Sequence, residues 1–191
     1  ANAQDFGGAK IDYLKLEDGD DIGLSADGPS VQGLFFPGHT PGSTMFVIDK
    51  SYMITGDIIS IKSIGRPDLG GKVDEWSGVL FKTIGNIKTM DDAVTVLPGH
   101  YIDWDEANEE LNFARPLGEV KKINESIYAI DNEDDFLNFI KSNIREQPPE
   151  YATIRLVNAN LEVVDDEKAE TLDLSKNECA ASAYAAAQQQ Q

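Results

Sequence analysis

Two histidines are all that this 191-residue chain contains, and both close the same tripeptide: Pro37-Gly38-His39 and Pro98-Gly99-His100. Between them stands a third side chain with metal affinity, Asp57, again preceded by glycine in Thr55-Gly56-Asp57. Neutral imidazoles and a carboxylate suit Zn2+ or Fe2+, and an aspartate can bridge two ions. A glycine ahead of each candidate ligand lets the backbone leave a strand sharply and approach an ion closely. A lone loop histidine is ordinarily structural. Two in matched contexts, with an aspartate between, point to a shared origin as ligands.

The elements that must position these groups follow one plan. Each motif ends a short apolar run predicted as a strand: residues 31–36 before His39, 52–55 before Asp57 and 94–97 before His100. Thr44–Ile48 is a further strand, closed by a turn at Asp49-Lys50. Mostly apolar runs imply strands buried on both faces or in the middle of a sandwich. At the amino end, a strand over residues 10–16 leads to a turn at Asp18-Gly19-Asp20 and a second strand. Those acidic residues miss the calcium-loop register and lack its closing glutamate. Trp76, Leu80, Thr83, Ile84 and Ile87 recur at helical spacing, with Asp74 as the expected N-cap. Helices are also predicted over residues 105–123 and 133–144, the latter with Phe136, Ile140 and Ile144 on one face. Pro149 can open a short helix through Val157. No internal repeat is visible. The domain expectation is one domain over residues 1–178 and an Ala/Gln-rich tail over 179–191.

Composition bounds the function classes. Apolar residues make up 41% of the chain, as in ordinary globular proteins, but the formal charge is −18. Such an excess of carboxylates repels phosphates, so neither nucleic acid nor an anionic membrane is an expected partner. No apolar run approaches the ~20 residues that span a bilayer, and residues 1–10 lack the pattern of a secretory leader. The cytoplasm is the default compartment. The single cysteine, Cys179, excludes an internal disulfide and a cysteine-built zinc site. It reads as a small buried hydrophobe rather than a persulfide carrier. Asp103, Asp105, Glu106, Glu109 and Glu110 read as a solvated helix start, and Trp104 as a pocket wall or ordinary core packing.

Taken in order, Pro37-Gly38-His39-Thr40-Pro41-Gly42-Ser43, Thr55-Gly56-Asp57 and Pro98-Gly99-His100 resemble the later metal motifs of the metallo-β-lactamase superfamily. Gly65-Arg66-Pro67-Asp68-Leu69 and Pro148-Pro149-Glu150-Tyr151 look like the branch holding persulfide dioxygenases, rhodanese-linked relatives and glyoxalase II-like thioester hydrolases. The resemblance runs from about residue 18 to about residue 158. It implies an α/β fold: the C-terminal ββα half of a four-layer αββα sandwich, with a C-terminal helical extension. It further implies one or two divalent metals. His39 would bind the first, and Asp57, the catalytic carboxylate, would bind it and bridge to a second. His100 would bind the second metal in hydrolases and line the site in mononuclear-iron dioxygenases. Arg66 and Asp68 read as an ion pair shaping the pocket, or equally as a surface salt bridge.

Two departures qualify the resemblance. The superfamily's H-x-H-x-D-H motif is absent, so the expectation is a chain that begins midway through its parent and is inactive alone. A glyoxalase II-like tyrosine two positions after the last ligand is replaced by Ile102, against glutathione binding in that mode, while Tyr101, directly after His100, is expected to line the pocket with Arg66 and Asp68. The expected substrates are small thiols or thioesters. Because a lone half leaves an apolar sheet face uncovered, the expected partner is the missing N-terminal half or a second copy.

Overall fold

The computed structural model describes residues 15–69, 71–144, 150–173 and 180–181. The turn at Asp18 and Gly19, where Gly19 has φ +86°, opens the chain into four successive antiparallel strands: β1 (Asp21–Gly23), β2 (Ser30–Phe35), β3 (Thr44–Ile48) and β4 (Tyr52–Gly56). Asp49 and Lys50 both adopt positive φ in the tight β3–β4 turn, as the hairpin geometry demands. After β5 (Ile64–Gly65) the chain crosses over through helix α1 (Val73–Lys88) and returns as β6 (Thr95–Pro98), parallel to β4. The short β7 (Arg115–Pro116) completes a six-stranded sheet of order β1-β2-β3-β4-β6-β7. Helices α2 (Leu117–Ile123), α3 (Glu125–Tyr128) and α4 (Glu133–Asn143) follow. Further on lie α5 (Glu150–Asn158), α6 (Asp166–Asp173) and β8 (Ala180–Ala181), which pairs with β5.

The described residues form two compact units. One holds residues 16–144 with β8, the other α5 and α6. In the second, α5 ends in a turn at Asn160 with positive φ, and Asp165 caps α6 through the Lys168 amide.

Register decides which side chains meet. Directly opposed residues share a sheet face. Met45, Met53 and Val96 lie on one face, fully buried, and join Leu80, Ile84 and Ile87 of α1 in a core that extends to Leu117, Ile127, Phe136 and Ile140. Burying side chains of this size stabilises by roughly 1.5–3 kcal/mol each. The opposite face carries Phe46, Ile48, Tyr52 and Ile54, with Phe35 at its end. There Phe35 and Tyr52 are each 49% exposed and Ile54 is 42% exposed. The strands therefore alternate, buried on one side and partly open on the other. This corrects the first of the two expectations, burial on both faces, and leaves the sandwich alternative standing: apolar composition alone cannot tell a covered face from an uncovered one.

Two helix expectations also change. Helix α1 starts at Val73 after Lys72, with no side-chain cap, and Asp74 lies in its first turn beside Glu75. Residues 105–123 are not one helix. A 3-10 turn (Trp104–Glu106), a loop, β7 and α2 occupy that span, because Arg115-Pro116 joins the sheet edge and removes a helical donor. Helix α4 matches the prediction, with Phe136 and Ile140 buried while Ile144 stays 40% exposed beyond its end. The predicted strand over residues 10–16 falls almost wholly outside the described residues, as do Pro148, Pro149, Cys179 and the tail beyond residue 181.

Candidate metal centre

His39, Asp57 and His100 come together at one edge of the sheet, each delivered by a different turn. Asp57 leaves β4 at an irregularity in the pairing, where Gly56 takes φ +51°. The parallel register sets Gly56 opposite Pro98, and the Gly99 amide donates to the Gly56 carbonyl at 2.9 Å. Residues 57 and 100 are thus neighbours by strand pairing. His39 arrives from β2 through Pro37-Gly38. The Pro37 carbonyl accepts from Thr83 of α1, and a Cβ on Gly38 would lie 2.7 Å from the Leu80 Cα. With φ at +144°, Gly38 is the residue that lets this turn lie flat on the helix.

Asp57 is the hub. His100 Nδ1 donates to its Oδ1 at 2.5 Å, and His39 Nε2 stands 3.4 Å from its Oδ2. Burial pushes the Asp57 carboxyl up, but the hydrogen bond and charge of His100 outweigh it and hold the group well below the usual carboxylate range. The bond to Asp57 raises His100 above its ordinary value, against an opposing effect of burial.

His39 is 8% exposed, and its second nitrogen is committed: Nδ1 lies 2.9 Å from the Arg66 carbonyl oxygen. A carbonyl only accepts, so Nδ1 carries the proton. In the neutral ring the Nε2 lone pair then faces a carboxylate oxygen, a repulsive contact that either a proton on Nε2 or a metal cation between them would relieve. The donor chemistry, two imidazoles on one carboxylate, fits a divalent cation. The set is not a complete cage. Among the described residues no group of three or more His, Cys, Asp or Glu is arranged to hold a metal ion. One Asp57 oxygen is already engaged by His100, and a cation would have to replace that proton-mediated contact.

Arg66 and Asp68 are 1% and 7% exposed, and the guanidinium grips both carboxylate oxygens. The surface reading of this pair is therefore wrong. Tyr101 stacks on Phe113 with ring centroids 4.0 Å apart, and both rings meet Trp104, which at 66% exposure is not core. Glu106 is the residue that sequence reasoning misplaced. It is buried rather than solvated, and its Oε1 accepts from the Ile102 and Asp103 amides, clamping the backbone just after His100. The Asp103-x-x-Glu106 capping-box pattern was the available signal.

No protein-family model matches the chain. It is 38% identical over 89 residues to an uncharacterized protein of Mycobacterium tuberculosis, a match covering 44% of this chain and 38% of that protein. It is 33% identical over 81 residues to the Probable metallo-hydrolase YqgX of Bacillus subtilis, covering 42% and 37% respectively. The matched stretch thus spans under half the length of these curated relatives. Among solved structures, a metallo-beta-lactamase from Staphylococcus aureus superposes with a TM-score of 0.65 at 27% identity, covering 79% of this chain and 45% of that one. ETHE1 from Myxococcus xanthus superposes at 0.63 with 21% identity, covering 81% and 64%.

Proposed function

Since the chain carries the metallo-β-lactamase fold, we propose that His39, Asp57 and His100 are its contribution to a divalent-metal centre of an enzyme acting on small thiol or thioester substrates. The observation that supports this most directly is the His39 ring, whose proton is spent on Arg66 while Nε2 faces the Asp57 carboxylate. Held by His39, Asp57 and His100, the ion would supply Lewis-acid chemistry in the hydrolytic version or redox chemistry with dioxygen in the iron version. Everything else is work for the chain's own groups. The His100 hydrogen bond keeps Asp57 ionised, with the His39 ring beside it. His100, with a side chain 45% exposed, is the member that can exchange protons with solvent. The Gly65-Arg66-Pro67-Asp68 segment favours the sulfur branch over thioester hydrolysis.

The test is binding first, then chemistry. Zn2+ and Fe2+ titrations of the chelator-treated chain should give affinity that falls about ten- to a hundredfold in His39→Ala and Asp57→Ala. Affinity no better than that of the triple variant lacking His39, Asp57 and His100 would sink the proposal. Oxygen uptake with a low-molecular-weight persulfide, set against thioester cleavage, separates the two chemistries.

A second reading is favoured by the half-open apolar sheet face of Phe35, Tyr52 and Ile54. In it, the chain acts in association, its face covered by another apolar sheet from a partner polypeptide or a second copy. The partner also supplies further ligands to the edge where Asp57 lies.

A further inference from the structure

The backbone around Arg66 is held from both sides. On one side, the Gly65 amide donates to the Ile58 carbonyl at 2.9 Å. A Cβ on Gly65 would lie 2.2 Å from the Asp57 carbonyl oxygen and 2.8 Å from the His39 Cβ, so this residue is wedged between the turns that carry two of the candidate ligands. On the other side, Pro67 confines Arg66 to extended backbone. Across it, Asp68 takes the guanidinium in a two-point grip, with the Arg66 Nε to Asp68 Oδ1 distance at 2.7 Å, both side chains excluded from water. The Arg66 carbonyl, fixed in this way, is the group that accepts the His39 proton.

Building on the metal-centre reading above, we infer that Arg66 and Asp68 are positioning residues: their buried pair aims the Arg66 carbonyl so that His39 is held as the Nδ1-protonated tautomer with Nε2 presented to the Asp57 side of the site. The arrangement is a choice between tautomers rather than a matter of general stability. Loss of the aimed carbonyl lets the ring proton move to Nε2, where it hydrogen-bonds Asp57 and blocks the nitrogen that a cation would use. His39 ligation is thereby made to depend on a salt bridge that acts on the ring through the Arg66 carbonyl.

With only two histidines, the chain is suited to a direct reading. Long-range proton–nitrogen spectra of the 15N-histidine-labelled, metal-free full chain, assigned with His100→Asn, should show His39 locked with a protonated Nδ1 and a bare Nε2. Asp68→Asn and the charge-preserving Asp68→Glu should move His39 to a mixture of tautomers, with Asp68→Glu the milder. Zn2+ affinity should fall about ten- to a hundredfold in Asp68→Asn, with partial recovery in Asp68→Glu. If Asp68→Asn does not fold, Asp68→Glu and Arg66→Lys carry the comparison, with amide spectra as the check on folding. The inference is overturned if wild-type His39 carries its proton on Nε2, or if folded Asp68 and Arg66 variants keep the wild-type tautomer. A locked tautomer in a chain that binds no zinc would overturn the metal centre and leave the positioning role standing.

Discussion

At the scale of single residues, the contact between Asp57 and His100 sets a definite pH behaviour. Asp57 is depressed below its ordinary 3.8, so its contribution to stability is present above that value and is lost as pH falls through the folded one. His100 is raised above 6.5, so its contribution is complete below 6.5 and is lost as pH climbs through the raised value. The pair therefore stabilises the metal-free chain most between pH 3.8 and 6.5. Thermal melts of chelator-treated wild type and His100→Asn should differ most inside that window and converge above it; a constant difference across pH would contradict the assignment. Glu106 makes a separate prediction. Removing a buried carboxylate that satisfies two backbone amides, as in Glu106→Ala, should cost about 1–3 kcal/mol in urea unfolding and loosen the loop holding His100, read as faster amide exchange at Ile102 and Asp103.

At the scale of elements, the site exists because two turns are pressed into fixed places. The parallel β4–β6 pairing brings Asp57 to His100, and α1 brings His39 by supporting Pro37 and Gly38. Gly38→Ala puts a methyl into the backbone of α1 at a conformation L-residues avoid. It should destabilise by about 1–3 kcal/mol, seen as a lower urea midpoint, and should weaken metal binding more than an equally destabilising change in the core such as Ile84→Val. Equal metal affinity in the two variants would show that the turn does not set the ligand. The matched Pro-Gly-His tripeptides are legible in sequence. That one packs against helix α1 and the other ends a strand beside β4 is not, because register and packing partner are decided by residues far away in the chain.

At the scale of the whole molecule, the sheet is asymmetric. One face is sealed by α1 and the helices behind it, while the other presents Phe35, Tyr52 and Ile54 partly to water on a chain of charge −18. Leaving apolar area in water costs about 25 cal/mol per Å2, which favours a covering sheet. The expected outcome is association in sedimentation velocity that weakens sharply in Ile54→Lys while the far-UV spectrum of the variant is unchanged. A wild-type chain that stays monomeric at all concentrations and captures no apolar-sheet partner would remove this reading.

What the sequence determined by itself was local: the strand at Thr44–Ile48, helix α4, the glycine-led turns and the two histidines that meet at Asp57. Each of these is written in side-chain type and short spacing, where period, turn chemistry and ligand chemistry act within a few residues. The tertiary structure decided the rest. It turned continuous apolar runs into strands with one open face, broke the predicted helix over residues 105–123 at Arg115-Pro116, and buried Glu106, Arg66 and Asp68. The physical reason is common to all three. Whether an apolar or charged side chain is covered depends on what packs against it across the sheet, and that partner lies too far along the chain for periodicity to report.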